Sequence, residues 1–235
     1  MTIRERLQRL DWKSIEASLW DLGYAKTRPL LSASECRRLI ALDAQERHFR
    51  KRIDMARLRF GVGSYAYFRS PLPPLVKELR VHGYRHLAPI ANRWAEALGD
   101  QNRFPAGLAS FLARCAEHGQ RKPTPLVLRY QAGGYNRLHQ DLYGEVAFPL
   151  QITCFLSRRD VDFRGGEFLL VESEPRIQSR AEVIPGEQGE LLIFPTRERP
   201  VRGKRGFRRA RMRHGLARLA AGSRYALGII FHDAS

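Results

Sequence analysis

The stretch LRYQAGGYNRLHQDLYG, residues 128–144, decides how the rest of the chain is interpreted. It holds His139 and Asp141, separated by a single glutamine. Residues two apart on an extended strand project to the same side, so an imidazole and a carboxylate at this spacing can bind one cation from one wall. Chance produces such a pair in roughly a quarter of chains with this many histidines and aspartates, and a surface hydrogen bond is the simpler interpretation. A metal site therefore requires companion residues elsewhere.

Length and composition predict one compact domain with additional elements at its N-terminus. The chain has 235 residues, of which 43% are hydrophobic and 28% charged. No apolar run approaches the roughly 20 residues that a membrane helix needs. The opening MTIRERLQRLDW has neither an apolar core nor a small-residue cleavage site, so it is not a signal peptide or an anchor. We expect a cytoplasmic protein with no membrane partner.

The three cysteines also fit a cytoplasmic protein. Cys36, Cys115 and Cys154 are odd in number, far apart and outside any CxxC spacing. This pattern indicates neither a disulfide framework nor a zinc finger. We expect all three thiols to be reduced and buried.

Positive charge points to a polyanionic partner. Lysine and arginine total 41 against 24 acidic residues, which gives a net charge of +17. Nine basic residues and one acidic residue lie in RERPVRGKRGFRRARMR, residues 197–213. This stretch is either a solvated flexible loop or a nucleic-acid contact, since arginine forks match phosphate geometry and counterion release drives such binding.

The hydrophobic pattern changes near residue 123. Before it, helical periodicity dominates, and after it come short strands punctuated by glycine and proline, which predict a sandwich or barrel. We therefore predict a helical and lid region over residues 1–122, packed on a catalytic core over residues 123–235. The segment YAYF, residues 65–68, is either a lid that stacks on a base or ordinary packing, and packing is favoured.

A third metal ligand is available just before the last strong strand. His214 could join His139 and Asp141, and two imidazoles with one carboxylate on one face of an octahedral ion leave positions open, as in non-haem Fe(II) oxygenases. The alternative for His214 is a loop histidine held by a salt bridge.

The last strand offers a partner for an anionic cosubstrate. Arg224 lies ten residues after His214, and its strand alternates small or polar residues with bulky ones. Such a strand can direct Arg224 into a cavity while its other face packs in the core. A buried guanidinium needs an anion, which a dicarboxylic cosubstrate would supply. Glu167 or Glu190 could pair with Arg224 instead.

The order HxD, distant His, then Arg on a run of short strands resembles the 2-oxoglutarate- and Fe(II)-dependent dioxygenases. The resemblance implies a mainly β core, a double-stranded β-helix of the jelly-roll or cupin type, with an N-terminal helical layer. It further implies that His139, Asp141 and His214 bind Fe(II), that Arg224 pairs with 2-oxoglutarate, and that O₂ is consumed.

Local features resemble one branch of these enzymes more closely. LRYQAGGYNRLHQD is similar to the corresponding segment of the AlkB-type nucleic-acid demethylases, which implies that Tyr130 hydrogen-bonds 2-oxoglutarate; core packing is its alternative role. Leu128 and Ile230 stand where that branch has an asparagine and a second arginine. HQDLYG and GELLIFPT also resemble a bacterial family of oxygenases predicted to act on damaged nucleic acid.

Three functions stay open. The first is oxidative demethylation of alkylated DNA or RNA, with a base flipped towards the iron and formaldehyde released. Its phosphate backbone would lie on a basic rim of six residues. They are Arg202, Lys204, Arg205, Arg208, Arg209 and Arg211. The second is a prolyl-hydroxylase-like protein hydroxylase, and the third is a non-catalytic β-helix module that binds nucleic acid.

Overall fold

Five α-helices, all before residue 118, form one layer of the molecule. The computed structural model describes residues 1–235. The helices are α1 (Ile3–Gln8), α2 (Trp12–Asp21), α3 (Ala33–Leu42), α4 (Pro74–Ala97) and α5 (Leu108–Glu117). None of them is both long and apolar enough to cross a membrane.

Local sequence explains where the helices begin and end. Thr2 and Ser32 start α1 and α3 through capping boxes with the glutamates three residues later. The 24-residue helix α4 begins at Pro74, because the first helical position needs no N–H donor, and stops before Gly99, whose φ is +70°. The helix α5 was not predicted from the sequence.

Fourteen strands form two antiparallel sheets. The first seven are β1 (Ala25–Lys26), β2 (Phe49–Asp54), β3 (Gly61–Val62), β4 (Ser64–Phe68), β5 (Leu126–Gln131), β6 (Tyr135–His139) and β7 (Leu150–Phe155). The others are β8 (Phe163–Gly165), β9 (Phe168–Ser173), β10 (Arg180–Ile184), β11 (Leu191–Pro195), β12 (Glu198–Gly203), β13 (Gly206–Leu216) and β14 (Leu219–Ile229).

The two sheets form the predicted double-stranded β-helix. The larger sheet has the order β1-β11-β7-β14-β5-β4-β2, with β8 paired to β14. The smaller sheet has the order β10-β9-β13-β6-β3, with β12 paired to β13. Strands β2, β3 and β4 come from the first half of the chain, so this half contributes to both sheets. The division between residues 122 and 123 stays a prediction.

The larger sheet separates two interiors. Its outer face packs against the helices in a core of 34 buried residues that includes Leu227 and Ile229. Its inner face carries Arg224, Ala226 and Gly228, which line a cavity between the sheets. This confirms the alternation predicted for the last strand. The three cysteines are buried and unpaired, as expected.

The structure decides between alternatives that the sequence left open for two segments. The basic stretch 197–213 is not a flexible loop, because β12 and β13 pair across it in a hairpin. Residues 65–68 are part of β4, which pairs with β2 and β5. Within that segment Tyr67 and Phe68 are buried, which agrees with a packing role.

Candidate active site

Three potential metal ligands meet at one end of the smaller sheet. His139 is the last residue of β6, and His214 lies directly opposite it on β13. Their ring centroids are 4.2 Å apart. Asp141 follows β6, with Oδ2 3.1 Å from Nε2 of His214 and Oδ1 3.6 Å from Nε2 of His139. One ligand atom from each residue lies within 4.8 Å of the others, so a single ion can contact all three.

Neighbouring groups orient these ligands. Nδ1 of His139 lies 2.8 Å from the carbonyl oxygen of Arg137. Donation of the Nδ1 proton to that carbonyl leaves Nε2 free to bind a metal. The hydroxyl of Tyr143 donates to Oδ1 of Asp141 over 2.9 Å. His214 is stacked on Phe168, with ring centroids 5.6 Å apart.

Electrostatics keep His214 and Asp141 in the protonation states that a metal needs. Burial, together with nearby His139, lowers the pKa of His214, so this imidazole is neutral near pH 7. Burial opposes ionisation of Asp141, but His214, His139 and the hydroxyl of Tyr143 outweigh it and lower the pKa of the carboxyl group. The neutral imidazole of His214, the ionised carboxylate of Asp141 and the adjacent imidazole of His139 form a set of donors that fits a divalent transition metal with vacant positions.

The three ligands form one wall of a cavity of about 420 Å³. Strands of both sheets supply its walls, and 24 residues line it. Asp141 is the only acidic residue among them. The cavity is therefore suited to anionic ligands.

Arg224 lies in the opposite wall with no anionic partner. Only 4% of its surface is exposed, yet its guanidinium forms no hydrogen bond or ion pair within the protein. Glu167 pairs with Arg159 and Glu190 pairs with Lys26, and neither forms an ion pair with Arg224, on which Glu167 acts only through its more distant charge. The guanidinium packs over the rings of Phe155 and Phe163 instead. Burial lowers the pKa of Arg224 to about 10, which still leaves it charged at neutral pH. A buried, unpaired guanidinium requires an anionic ligand.

Tyr130 stands beside Arg224 in the same wall. The two residues are direct partners in the pairing of β5 with β14. Gly63 makes room for the phenol: its φ is +146°, and a Cβ there would lie 2.7 Å from Cδ1 of Tyr130. Tyr130 is only 2% exposed and packs with Met55 and Phe163. It therefore has a core role and faces the cavity as well.

Part of the cavity wall is apolar. Leu128 and Ile230, which replace polar residues of the AlkB-type pattern, lie there with Tyr65 and Tyr67. Any additional polar contact to a ligand must therefore come from other positions.

Sequence reasoning missed several lining residues. Gln151 is 2% exposed and lines the cavity, and its Nε2 atom has no hydrogen-bond partner. Its sequence signal was a glutamine inside the largely apolar strand β7. Arg59 and Arg137 line the cavity with exposed side chains that form no ion pair. No local pattern marked them, since they resemble the many other arginines of the chain.

The predicted basic rim lies elsewhere. None of its six residues lines the cavity. Arg208 pairs with Glu174, while Arg209 pairs with Asp100 and Glu198. A role of these six residues in nucleic-acid binding stays a prediction.

Sequence comparison relates the chain to one oxygenase family. The model of a family described as an oxygenase catalysing oxidative methylation of damaged DNA matches residues 63–234. Uncharacterized proteins of two Mycobacterium tuberculosis strains, CDC 1551 / Oshkosh and H37Rv, are each 40% identical over 232 residues. Each alignment covers 99% of this chain and 94% of the relative.

Structure comparison shows the fold. A prolyl-4-hydroxylase of Pseudomonas putida is 15% identical and has a TM-score of 0.55, with 95% of this chain and 99% of that chain covered. A 2OG-Fe(II) oxygenase family oxidoreductase of Burkholderia pseudomallei is 14% identical and has a TM-score of 0.53, with coverages of 97% and 94%. A Trichoplax adhaerens prolyl hydroxylase bound to a peptide fragment of hypoxia inducible factor is 14% identical and has a TM-score of 0.52, with coverages of 98% and 92%.

Proposed function

Because this chain belongs to the oxygenase family described as acting on damaged DNA, and is a dioxygenase that uses Fe(II), 2-oxoglutarate and O₂, we propose that it hydroxylates N-alkyl groups of damaged nucleic acid. The observation that carries the proposal is the cavity itself. It has the His139, Asp141 and His214 cluster on one wall, the unpaired Arg224 on the other, and no second carboxylate.

We assign the ligand-binding roles as follows. His139, Asp141 and His214 hold Fe(II), with Tyr143 and the carbonyl of Arg137 fixing two of the ligands. Iron and 2-oxoglutarate, when bound, supply the oxidising chemistry that replaces a C–H hydrogen by a hydroxyl group, with O₂ consumed and succinate and CO₂ formed.

Arg224 and Tyr130 bind the distal carboxylate of 2-oxoglutarate. The guanidinium supplies the charge that this carboxylate needs, and the phenol of Tyr130 can donate one hydrogen bond from the adjacent strand. Because burial makes the pKa of Tyr130 higher than its usual value, the phenol keeps its proton and acts as a donor.

The identity of the hydroxylated group determines the product. A hydroxylated N-methyl group is an unstable hemiaminal, which breaks its C–N bond and releases formaldehyde and the unmodified base. The net charge of +17 and the nearly acid-free cavity support a polyanionic substrate.

Hydroxylation of a protein side chain is the second candidate. The apolar wall formed by Leu128, Ile230 and Tyr67 suits a proline ring as well as a base. Several proteins with this fold are prolyl hydroxylases. Hydroxylated proline is a stable alcohol, so no formaldehyde would accompany the succinate.

One screen tests the two candidates. Anaerobically reconstituted enzyme with Fe(II) and 2-oxoglutarate is exposed to air with methylated oligonucleotides or with proline-containing peptides. Mass spectrometry then measures succinate, formaldehyde and the mass change of each substrate. Loss of 14 Da per methyl group (about the mass of one CH₂) with formaldehyde supports demethylation. Gain of one oxygen by a peptide, with unchanged oligonucleotides, would show that the protein hydroxylates proteins and does not demethylate nucleic acid.

A further inference from the structure

Two unpaired arginines and an apolar patch surround the cavity mouth. The turn between β2 and β3, residues 56–60, carries Leu58, Arg59 and Phe60 at its tip, and all three are exposed. We call residues 56–60 the entrance turn. Arg59 and Phe60 line the cavity, as does Arg137 of β6.

The entrance turn is fixed against the ligand-bearing strand. Its base is the fully buried Met55, whose carbonyl accepts a hydrogen bond from the N–H of Phe60 over 3.0 Å. The N–H of Arg137 donates to the carbonyl of Phe60 over 2.8 Å. Phe60 and Arg137 are therefore neighbours on adjacent backbone segments. Arg137 lies two residues before His139 on the same strand. The backbone is anchored while the side chains at the tip face solvent.

The exposed apolar surface at this position is not explained by folding. Eleven large hydrophobic side chains of the chain are exposed, and four of them belong to this turn or to β3 and β6. They are Leu58 (49%), Phe60 (47%), Val62 (44%) and Leu138 (43%). Exposed apolar groups that cluster beside a cavity mark a binding surface.

The charges identify the kind of ligand. Arg59 and Arg137 have no carboxylate partner and line the cavity. The six residues of the predicted basic rim lie outside the cavity, and two of them, Arg208 and Arg209, are paired with carboxylates. Guanidinium groups bind phosphate oxygens in a bidentate manner, and exposed aromatic rings stack on unpaired bases. An exposed aromatic ring and two guanidinium groups at one cavity match a nucleotide whose base has left a helical stack.

We propose that Arg59, Phe60 and Arg137 bind single-stranded nucleic acid at the mouth of the active site, an assignment that rests on the proposed function. Arg59 and Arg137 contact the phosphates beside the target nucleotide, and Phe60 stacks on a neighbouring base. The target base then enters the cavity towards His139, Asp141 and His214. The β12–β13 hairpin is not the principal contact.

Fluorescence anisotropy with a labelled, unmodified single-stranded oligonucleotide of about 15 nucleotides tests this surface without catalysis. The double variant R59A/R137A should bind at least about tenfold more weakly at 0.1 M salt, and its log–log salt slope should fall by about 1.4, or about 0.7 for each lost phosphate contact. F60A should weaken binding by about tenfold with an unchanged salt slope. Thermal unfolding verifies that each variant is folded.

Two matched controls remove charge elsewhere. R37A/R38A removes two exposed, unpaired arginines of α3, and R202A/R205A removes two from the tip of the hairpin. Both should bind within about twofold of the wild type at equal salt.

The outcomes separate this inference from the proposed function. If R202A/R205A loses affinity while R59A/R137A binds like the wild type, the entrance assignment is overturned and a nucleic-acid substrate stands. If the wild type binds no oligonucleotide but oxidises a peptide, both the entrance assignment and the proposed nucleic-acid substrate are wrong. Equal losses in R59A/R137A and R37A/R38A would show binding by overall charge alone and would also overturn the assignment.

Discussion

His139 and His214 face each other across neighbouring strands of the smaller sheet, with ring centroids 4.2 Å apart and the carboxylate of Asp141 beside both. Removal of this carboxylate should therefore destroy the iron site. Because loss of a group that merely orients a ligand costs about 10- to 100-fold in metal affinity, Asp141→Ala should weaken Fe(II) binding at least about 100-fold. Anaerobic titration measures binding, and succinate formation should fall to background. Asp162→Ala, at a surface ion pair with Arg158, is the control. Normal iron binding by Asp141→Ala would rule out the ligand assignment.

Arg224 should strengthen the binding of 2-oxoglutarate while it lowers the unfolding free energy of the ligand-free protein. Its buried guanidinium has no partner, so Arg224→Met should leave the unfolding free energy unchanged or raise it by about 1 kcal/mol or more. Loss of one partner of a buried charge pair should raise the KM for 2-oxoglutarate about 30-fold or more.

Thermal unfolding with and without 2-oxoglutarate measures both effects. The ligand should raise the Tm of the wild type but not that of Arg224→Met. Arg129→Met removes an arginine from the adjacent strand β5 outside the cavity and should keep the ligand response. An equal ligand response in Arg224→Met would contradict the proposed role.

Gln151 should act on a bound ligand rather than on the fold. Its buried Nε2 has no hydrogen-bond partner, so Gln151→Leu removes an unsatisfied donor and should not lower the unfolding free energy by more than about 0.5 kcal/mol. The KM for 2-oxoglutarate or for the substrate should rise, because the cavity loses a donor. Urea unfolding and steady-state kinetics separate the two effects. A marked loss of stability with unchanged kinetics would make Gln151 structural.

Arg80 should be one of the most important polar residues for stability. From α4 it donates to Asp233 over 2.7 Å and to the carbonyls of Ile230 and Phe231 over 2.9 and 3.0 Å, and it is 3% exposed. Arg80→Met leaves Asp233 and the carbonyl of Phe231 without this donor, and Ile230 with only the long hydrogen bond from Thr124, so the unfolding free energy should fall by about 3–5 kcal/mol. Arg158→Met breaks an exposed pair and should cost less than about 1 kcal/mol. Urea unfolding compares the two variants, and similar losses of unfolding free energy would disprove this stabilising role of Arg80.

Mild acid should destabilise the ligand-free protein through His232. Burial, with Arg80 nearby, lowers the pKa of His232 to about 4, and its Nδ1 accepts the N–H of Phe148. In the unfolded chain, His232 takes up a proton at a higher pH than it does in the native protein. Stability is therefore lost as the pH falls below the unfolded pKa of about 6.5, by about 1.4 kcal/mol at pH 5.5.

His232→Asn tests this linkage. An amide oxygen in the position of Nδ1 can still accept the Phe148 N–H, but it does not titrate. Urea unfolding measures how far the unfolding free energy falls between about pH 7.5 and about pH 5.5. This fall should be about 1.4 kcal/mol smaller in the variant than in the wild type. Identical pH dependence in the two proteins would mean that His232 is not the responsible group.

Local sequence was sufficient for the elements with strong periodicity. The helical periodicity of the first half is borne out by helices α1 to α4, and the alternation along 224–229 separates cavity from core. Helix α5, strand β2 and the β12–β13 hairpin could not be predicted in this way. In the hairpin, cross-strand pairing and ion pairs such as Arg208–Glu174 organise a stretch for which composition alone left a flexible loop as one of two alternatives.

The sequence by itself determined which side chains are able to bind a metal and an anion, because HxD, a distant histidine and an arginine ten residues later are properties of residue type and spacing. Only the tertiary structure decided that these groups share one cavity, that Arg224 lacks a carboxylate partner, and that Arg59 and Arg137 rather than residues 197–213 line its mouth. The physical reason is that charges far apart in the chain are paired or left free by the packing of sheets and turns, and sequence separation does not encode those distances.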